Sequence, residues 1–411
     1  MSQVVAKTSR SPRGVLSCGG AFLVLLAASF AHNTAAADRE EAVYLRRFQE
    51  SGGAARDSYD TLETVAGVRR PKPLSVAART SISPKALAQA QAYAAANRST
   101  ALLIWRDGVL EDSRYFGATT DQTLLISRSM AKPLSAIAVG RAIALGKIRS
   151  LDQPVSDFIP EWRGTAKAAI RVRHLLDMRA GFLAQGSSPD PANIWSRAYL
   201  HPHHGPIIIN EYPLTATPGE RYAYANATAD LVAVLIERAT GRRYGDFLSA
   251  EVLKPLGAQG GKIWVDHPGG LAHSGCCILL PAETWLRLGV LLLDDGMWSG
   301  KRLLPKGYVA AMRTPTAANP YYGLGVWVQG PYATRRGFAG PEPTPSGVLH
   351  SEPYLADDLF LFDGNADQVL YMAPRQRLAI LRMGDAPPKS PEWDNSILPN
   401  LILRDLATAA R

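Results

Sequence analysis

A serine and a lysine three positions apart carry the clearest chemical signal in the chain: Ser129 and Lys132, in the run Ile126-Ser127-Arg128-Ser129-Met130-Ala131-Lys132-Pro133-Leu134. Pro133, with no further proline through Leu145, predicts a helix that opens here with Ser129 at its mouth. Residues three apart share a helix face, so the hydroxyl and the amine would lie side by side. A serine hydroxyl becomes a nucleophile when a neighbouring base takes its proton, and a lysine in a poorly solvated cleft has a depressed pKa. The N–H groups of the helix mouth would favour negative charge developing beside Ser129. Taken alone, the same spacing fits a plain helix N-cap and a solvated first-turn lysine. A second pair, Tyr224 and Asn226, lies in Pro218-Gly219-Glu220-Arg221-Tyr222-Ala223-Tyr224-Ala225-Asn226, on the turn before an amphipathic helix from Thr228 to Thr240 that Gly241 stops. A phenol set between serine and lysine can relay a proton, and a carboxamide can hold a substrate carbonyl.

The elements that must position these groups are legible around them. Ser83-Pro84 reads as an N-cap followed by proline at the first helical position, with a helix over Lys85 to Ala96. Ala101 to Trp105 and Val109 to Phe116, joined through Arg106-Asp107-Gly108, read as a hairpin. Gly146 should end the Ser129 helix. Lys147 to Asp177 reads as short helices and loops, with one helix over Val172 to Met178, and Trp285 to Leu293 as a further helix. Strands return late, at Gly323 to Gln329, Leu359 to Phe362, Gln368 to Met372 and Leu378 to Met383, with Pro374-Arg375-Gln376 as a tight turn. Ile397 to Ala410 closes the chain as a helix. Strands at both ends and helices between predict an α/β (α+β) fold. One antiparallel sheet would come from residues 81–148 and 315–411, with a helical lobe of about 149–314 inserted.

Ahead of this body, Met1 to Ala37 has the layout of a secretory signal: Lys7, Arg10 and Arg13 without an acid, the apolar run Gly19 to Ala31, then Ala35-Ala36-Ala37 before Asp38. That predicts a periplasmic or secreted protein with no stable membrane span once the leader is cleaved; the alternative is an uncleaved N-terminal anchor. Residues 38–80 read as a loosely structured arm. The formal net charge of +9 is spread along the chain without a Lys/Arg block, which argues against a nucleic-acid partner. Beyond the leader only Cys276 and Cys277 remain, and adjacent cysteines pair only through a strained eight-membered ring, so two buried or free thiols are expected over a vicinal redox pair. His201, His203 and His204 fall in a proline-rich stretch with no Cys or carboxylate at ligand spacing, so a solvated loop is expected there, with no metal and no cofactor.

Taken in order, Ser129-x-x-Lys132 and Tyr224-x-Asn226 about a hundred residues later resemble the serine β-lactamase and penicillin-recognising family, in its class C and carboxylesterase-like branch. Leu151-Asp152-Gln153-Pro154-Val155, His174 to Met178 with Ala180-Gly181, and Lys254 to Ala258 look like that family's connecting motifs. Gly296-Met297-Trp298-Ser299-Gly300 with Leu304-Pro305 is similar to the 6-aminohexanoate-dimer hydrolase relatives. The resemblance implies a three-layer sandwich with a cleft beside the helical lobe. In it Ser129 is the nucleophile, Lys132 its partner in deprotonation, Tyr224 the base in acylation and acid for the leaving group, and Asn226 the substrate-orienting group. The third motif of the family, a Lys or His, a small residue and Gly, falls at Asn365-Ala366-Asp367, which leaves Asn365 at a substrate-binding position without its positive charge. The Gln368 N–H would pair with the Ser129 N–H as the oxyanion hole, and Asp367 would put a carboxylate near it. Cys276-Cys277 replace a pair commonly glycine in relatives. The implied activity is an acyl-enzyme serine hydrolase on a small-molecule carboxylic ester or amide. Peptidoglycan DD-carboxypeptidase or β-lactamase activity, and a non-catalytic ligand-binding protein, are the alternatives.

Overall fold

The computed structural model describes residues 37–52 and 59–409, together with Gln3. The expected leader falls outside these residues but for Gln3 and Ala37. Apolar side chains of the two hairpin strands alternate between two faces: Leu102 and Ile104 point one way, Ala101, Leu103 and Trp105 the other. Such a strand is buried on both sides only if helices cover both, and they do. β1 (Leu62–Val65) and α1 (37–50) come first, then α2 (Pro84–Ala96), β2 (Ser99–Arg106) and β3 (Val109–Tyr115). β4 (Leu125–Ile126), a 3-10 turn at Arg128–Met130 and α3 (Ala131–Ala144) follow. The helical stretch comprises α4 (Val172–Leu176), α5 (Ile194–Leu200), α6 (His204–Asn210), α7 (Asn226–Thr240) and α8 (Tyr244–Leu248). Then come β5 (Gly261–Trp264), β6 (Ile278–Leu280), α9 (Ala282–Leu293), a small hairpin of β7 (Met297–Trp298) and β8 (Lys301–Arg302), and α10 (Tyr308–Met312). The chain ends in β9 (Trp327–Val328), β10 (Arg335–Arg336), β11 (Val348–Leu349), β12 (Phe360–Gly364), β13 (Gln368–Ala373), β14 (Leu378–Gly384) and α11 (Ile397–Ala409).

The main sheet is antiparallel in the order β3-β2-β14-β13-β12-β9, so its centre joins β2 to β14, with Leu103 opposite Leu381. This is the sheet from both ends of the chain that the strand pattern predicts. On one face α2 and α11 pack through Ala86, Ala90, Leu398 and Ile402 against Leu102, Ile104, Tyr371 and Ile380. On the other, α9 lies across β13, β14 and β2, and α3 and α7 pack together beyond it. Each fully buried Leu or Ile in these layers contributes about 1.5–3 kcal/mol. α9, expected within the helical lobe, thus belongs to the sandwich. The amphipathic pattern of α9 faces the sheet because Leu286 and Val290 have nowhere else to be buried.

Two sequence expectations change. Residues 38–80 are not a loose arm throughout. Arg47 on α1 is buried, donating to Asp60, to the Leu200 carbonyl at 2.9 Å and to the Asp266 carbonyl at 2.8 Å, and Tyr44 donates to the Pro191 carbonyl. An arginine so satisfied ties α1 to the helical stretch. β1 is the edge of a second sheet, β1-β5-β6-β4, which the sequence pattern missed because its strands are two to four residues long. Cys276 and Cys277 are bonded to each other, against the expectation of two thiols. Cys277 has φ 67°, and the Tyr199 hydroxyl sits 3.0 and 3.3 Å from the two sulfurs in a pocket shared with Trp264.

Candidate active site

The second sheet delivers Ser129. β4 pairs with β6, and directly after it the Ser127 N–H donates to the Ile278 carbonyl at 2.9 Å while the Ser127 hydroxyl accepts from the Ile278 N–H at 3.2 Å. Arg128 turns the chain with φ 49°, and Ser129 then sits in the middle of the 3-10 turn that leads into α3. From below, β12 presents Gly364 to this turn. A Cβ there would lie 2.7 Å from the Ser127 carbonyl and 3.1 Å from the Ser129 nitrogen, so no side chain is tolerated at that position.

Lys132, on the first turn of α3, is 3% exposed. Its Nζ donates to Ser129 Oγ at 3.1 Å, to Asn226 Oδ1 at 2.9 Å and to the Gly275 carbonyl at 2.8 Å. Burial drives its pKa down to about 7, with the negative charge of Asp230 pulling the other way. Nζ also stands 4.7 Å from the centre of the Tyr224 ring. The Tyr224 phenol is pushed well above its ordinary value by burial, with the Ser129 hydroxyl acting against that rise. The Tyr224 hydroxyl itself meets no partner at hydrogen-bond geometry. Asn226 is the first residue of α7 and not part of the turn before it, because the Ala225 backbone, at φ −152°, is the extended N-cap.

Ser129, Tyr224, Asn226, Asn365 and Asp367 line one cleft of about 780 Å³, walled by Phe338, Thr344, Val348 and Trp393. Asn365-Ala366-Asp367 form the tight turn between β12 and β13, with Ala366 at φ 62° and Asp367 at φ 55°. Asn365 is exposed and its Oδ1 accepts from the Ala366 N–H at 2.9 Å. Gln368 opens β13 opposite Gly364, and this strand start lies against the Ser129 turn. The Gln368 side chain turns inward to the Ala366 and Gly384 carbonyls, so only its backbone could serve the cleft. Buried Arg382 fixes the turn, donating to the Ala366 and Asp367 carbonyls at 2.7 and 3.0 Å. Burial first, then the charge of Asp363, raise the Asp367 carboxyl to about 7, with Arg382 opposing. Asp363 is itself held by Arg336.

Several partners had no readable sequence signal: Gly275, which offers only a carbonyl; Gln185, which accepts from the Asn226 N–H at 3.2 Å; and Arg382, which looks like any strand residue. The histidines also end up elsewhere than expected. His204 opens α6 fully buried, its Nδ1 3.0 Å from Asp266, and stacks at 4.1 Å and 12° on His273, whose Nδ1 is 3.1 Å from Asp230. His203 meets Glu40. The carboxylates come from far along the chain, which is why spacing did not show them. His204, Asp230 and His273 are close enough to suggest a metal. Each imidazole lone pair lies in its own ring plane, however, and the two stacked planes run nearly parallel about 4.1 Å apart, so one ion cannot lie along both lone pairs.

A family model described as Beta-lactamase matches residues 85–392. A 6-aminohexanoate-dimer hydrolase of Paenarthrobacter ureafaciens is 30% identical over 210 residues, 47% of this chain and 51% of that protein. Esterase EstB of Burkholderia gladioli is 29% identical over 156 residues, 33% of this chain and 38% of its own length. The matches therefore span about half, or less, of these curated relatives. Among solved structures, one assigned as a 6-aminohexanoate-dimer hydrolase from Bacillus anthracis superposes with a TM-score of 0.62 at 16% identity, covering 87% of this chain and 95% of that one, a likeness of fold.

Proposed function

The chain belongs to the beta-lactamase family, and from that premise we propose that it is a serine hydrolase that cleaves a small carboxylic ester or amide through an acyl-enzyme on Ser129. One observation carries the reading: the Lys132 amine, buried and brought to about 7, rests 3.1 Å from Ser129 Oγ at the floor of an open cleft. A neutral amine at that distance takes the serine proton as Oγ adds to the acyl carbon. The Ser129 and Gln368 N–H groups receive the oxyanion. As the adduct collapses, the bond to the leaving group breaks and the Tyr224 hydroxyl gives that group its proton. Tyr224 is then reprotonated from the Lys132 ammonium, which returns the amine to its starting form. A water molecule enters by the same steps reversed and frees the acid. Because Tyr224 holds its proton tightly, Lys132 is assigned as the base and Tyr224 as the acid.

The likeness to a 6-aminohexanoate-dimer hydrolase and to an esterase supports the ester or small-amide class. A carboxylate-bearing β-lactam or peptidoglycan stem is disfavoured, since Asn365 and Asp367 offer it no cation. The leader-like composition of residues 1–37 supports a periplasmic or secreted location, which N-terminal sequencing of the exported chain would test. The function is tested by intact mass spectrometry after treatment with a fluorophosphonate and, separately, a short-chain p-nitrophenyl ester. A single adduct on Ser129, absent from Ser129→Ala, is expected. No adduct on the folded protein would overturn the reading in favour of a ligand-binding protein.

A further inference from the structure

Behind Lys132 lies a buried polar chain that the proposed reaction leaves unused. Asp230 on α7 is fully buried, and its Oδ1 accepts from the Gly275 N–H at 2.8 Å. The carbonyl of that same Gly275 receives Lys132 Nζ at 2.8 Å. One residue, through the two peptide groups that flank its Cα, therefore joins the carboxylate to the amine. Gly275 fits there only without a side chain, because a Cβ would stand 2.6 Å from the Ala229 Cβ and 3.1 Å from Asp230 Oδ1. The other oxygen of Asp230 is held by His273 Nδ1 at 3.1 Å, with His204 Nε2 at 3.9 Å. His273 is clamped between Trp264, at 3.8 Å and 12°, and His204, at 4.1 Å and 12°. His204 in turn meets Asp266, which His267 approaches at 2.8 Å from the protein edge.

We propose that Asp230 is a positioning residue of this active site, anchoring Gly275 by its N–H so that the carbonyl of the same residue holds the Lys132 amine on Ser129, and supplying the buried negative charge that steadies that amine. The inference rests on the reading of Lys132 as the base. Burial opposes the charge of Asp230, but the hydrogen bonds from His273 and from the Gly275 N–H help outweigh it and keep its carboxyl below the ordinary range. Burial, with His204 next, lowers His273 to about 4, so the ring is neutral at working pH and donates from Nδ1. The remaining groups facing this pair are the Tyr199 and Tyr244 phenols near Asp230, Arg128 near Tyr199, and Ser129, Asn226 and Tyr224 around Lys132. Both phenols are driven up by burial and stay protonated, which leaves Asp230 as the anion acting on Lys132.

The test reads Lys132 directly and needs no turnover. The titration of its Cε signal is followed by NMR in protein carrying 13C-labelled lysine, assigned by its loss in Lys132→Arg, for wild type, Asp230→Asn and Asp266→Asn. Removing an opposite charge this near should lower the Lys132 midpoint by about 1 pH unit in Asp230→Asn, and by far less in Asp266→Asn, where a histidine intervenes. The acid limb of Ser129 labelling by fluorophosphonate should move down by the same amount, a shift that a merely structural role would not produce. Asp230→Glu, which keeps the charge but displaces it, should leave the midpoint near wild type and slow labelling about tenfold or more. Where the amide does not fold, Asp230→Ser removes the same charge with less bulk, and the same shift is expected. An unmoved midpoint in a folded neutral variant overturns the inference. If the midpoint moves but wild-type Ser129 takes no label, the proposed hydrolase activity fails while the link from Asp230 to Lys132 stands.

Discussion

Asp367 stands in the left-handed turn between β12 and β13, and its cost to the fold should depend on pH. Its carboxyl is raised from 3.8 to about 7, by burial first and by Asp363 second. Below pH 4 both folded and unfolded chains carry the proton, and the residue costs nothing. As pH climbs from about 4 to 7 the unfolded chain releases the proton and the folded chain keeps it, so stability declines; above 7 the full penalty is present. A rise of about 3 units corresponds to about 4 kcal/mol. The cleft is partly open to water, which reduces the expected figure to about 1–2 kcal/mol. Asp367→Asn removes this dependence, while Asp363, Glu392 and Arg382 stay common to both proteins. Urea unfolding followed by tryptophan fluorescence should show the variant gaining about 1–2 kcal/mol on wild type between pH 4.5 and pH 8. The left-handed backbone at Asp367 suits Asn as well as Asp or better, so any offset from that source is constant with pH. A wild-type-minus-variant difference that does not change across that range would refute the reasoning, since Asp367 would then ionise alike in both states. If the reasoning holds, the carboxyl is mostly neutral at pH 6 and opposes the oxyanion only above 7, so the Asp367→Asn variant should outpace wild type chiefly in alkaline buffer.

Tyr224→Phe deletes a buried hydroxyl that has no partner, so thermal unfolding should be unchanged or up by about 1 kcal/mol. Ester hydrolysis by the same variant should fall by about 10²–10⁴-fold, and retained hydrolysis would remove Tyr224 from the mechanism. Gly364→Ala pushes a methyl into the Ser127 carbonyl and should cost about 1–3 kcal/mol in urea unfolding while slowing Ser129 labelling; a neutral effect on both would mean the turn can give way freely.

The sandwich was legible because its strands are long enough to show alternation and its helices carry their own stop signals. Ser83 does cap α2, its hydroxyl accepting from the Ala86 N–H, and α7 does end at Gly241. The small sheet was not legible. Leu125–Ile126 and Ile278–Leu280 are too short for a period, and their pairing depends on contacts made more than a hundred residues apart. In the site, the reactive side chains announced themselves by type, whereas the Gly275 carbonyl, as backbone, had nothing to announce. Asp230 and His273 looked like ordinary residues of a helix and a loop until folding brought them together. Asn365 and Asp367 were visible as departures from the family pattern, but the compensating Arg382 clamp required the sheet register that sets it beside their turn.

The pairing of β2 with β14 has a consequence for synthesis. The turn bearing Ser129 emerges from the ribosome more than two hundred residues before Gly364, against which it leans, and before the strand that completes the sheet centre. Hairpin β2–β3 waits with an unpaired edge for about two thirds of the chain, until β14 emerges, the arrangement that slows folding and invites unwanted strand pairing. A nascent chain halted between Lys132 and Gly364 would hold both Ser129 and Lys132 yet lack the surface that sets them. Any reactivity of Ser129 should therefore arrive late and all at once, and a cell making this protein is spared a half-built cleft.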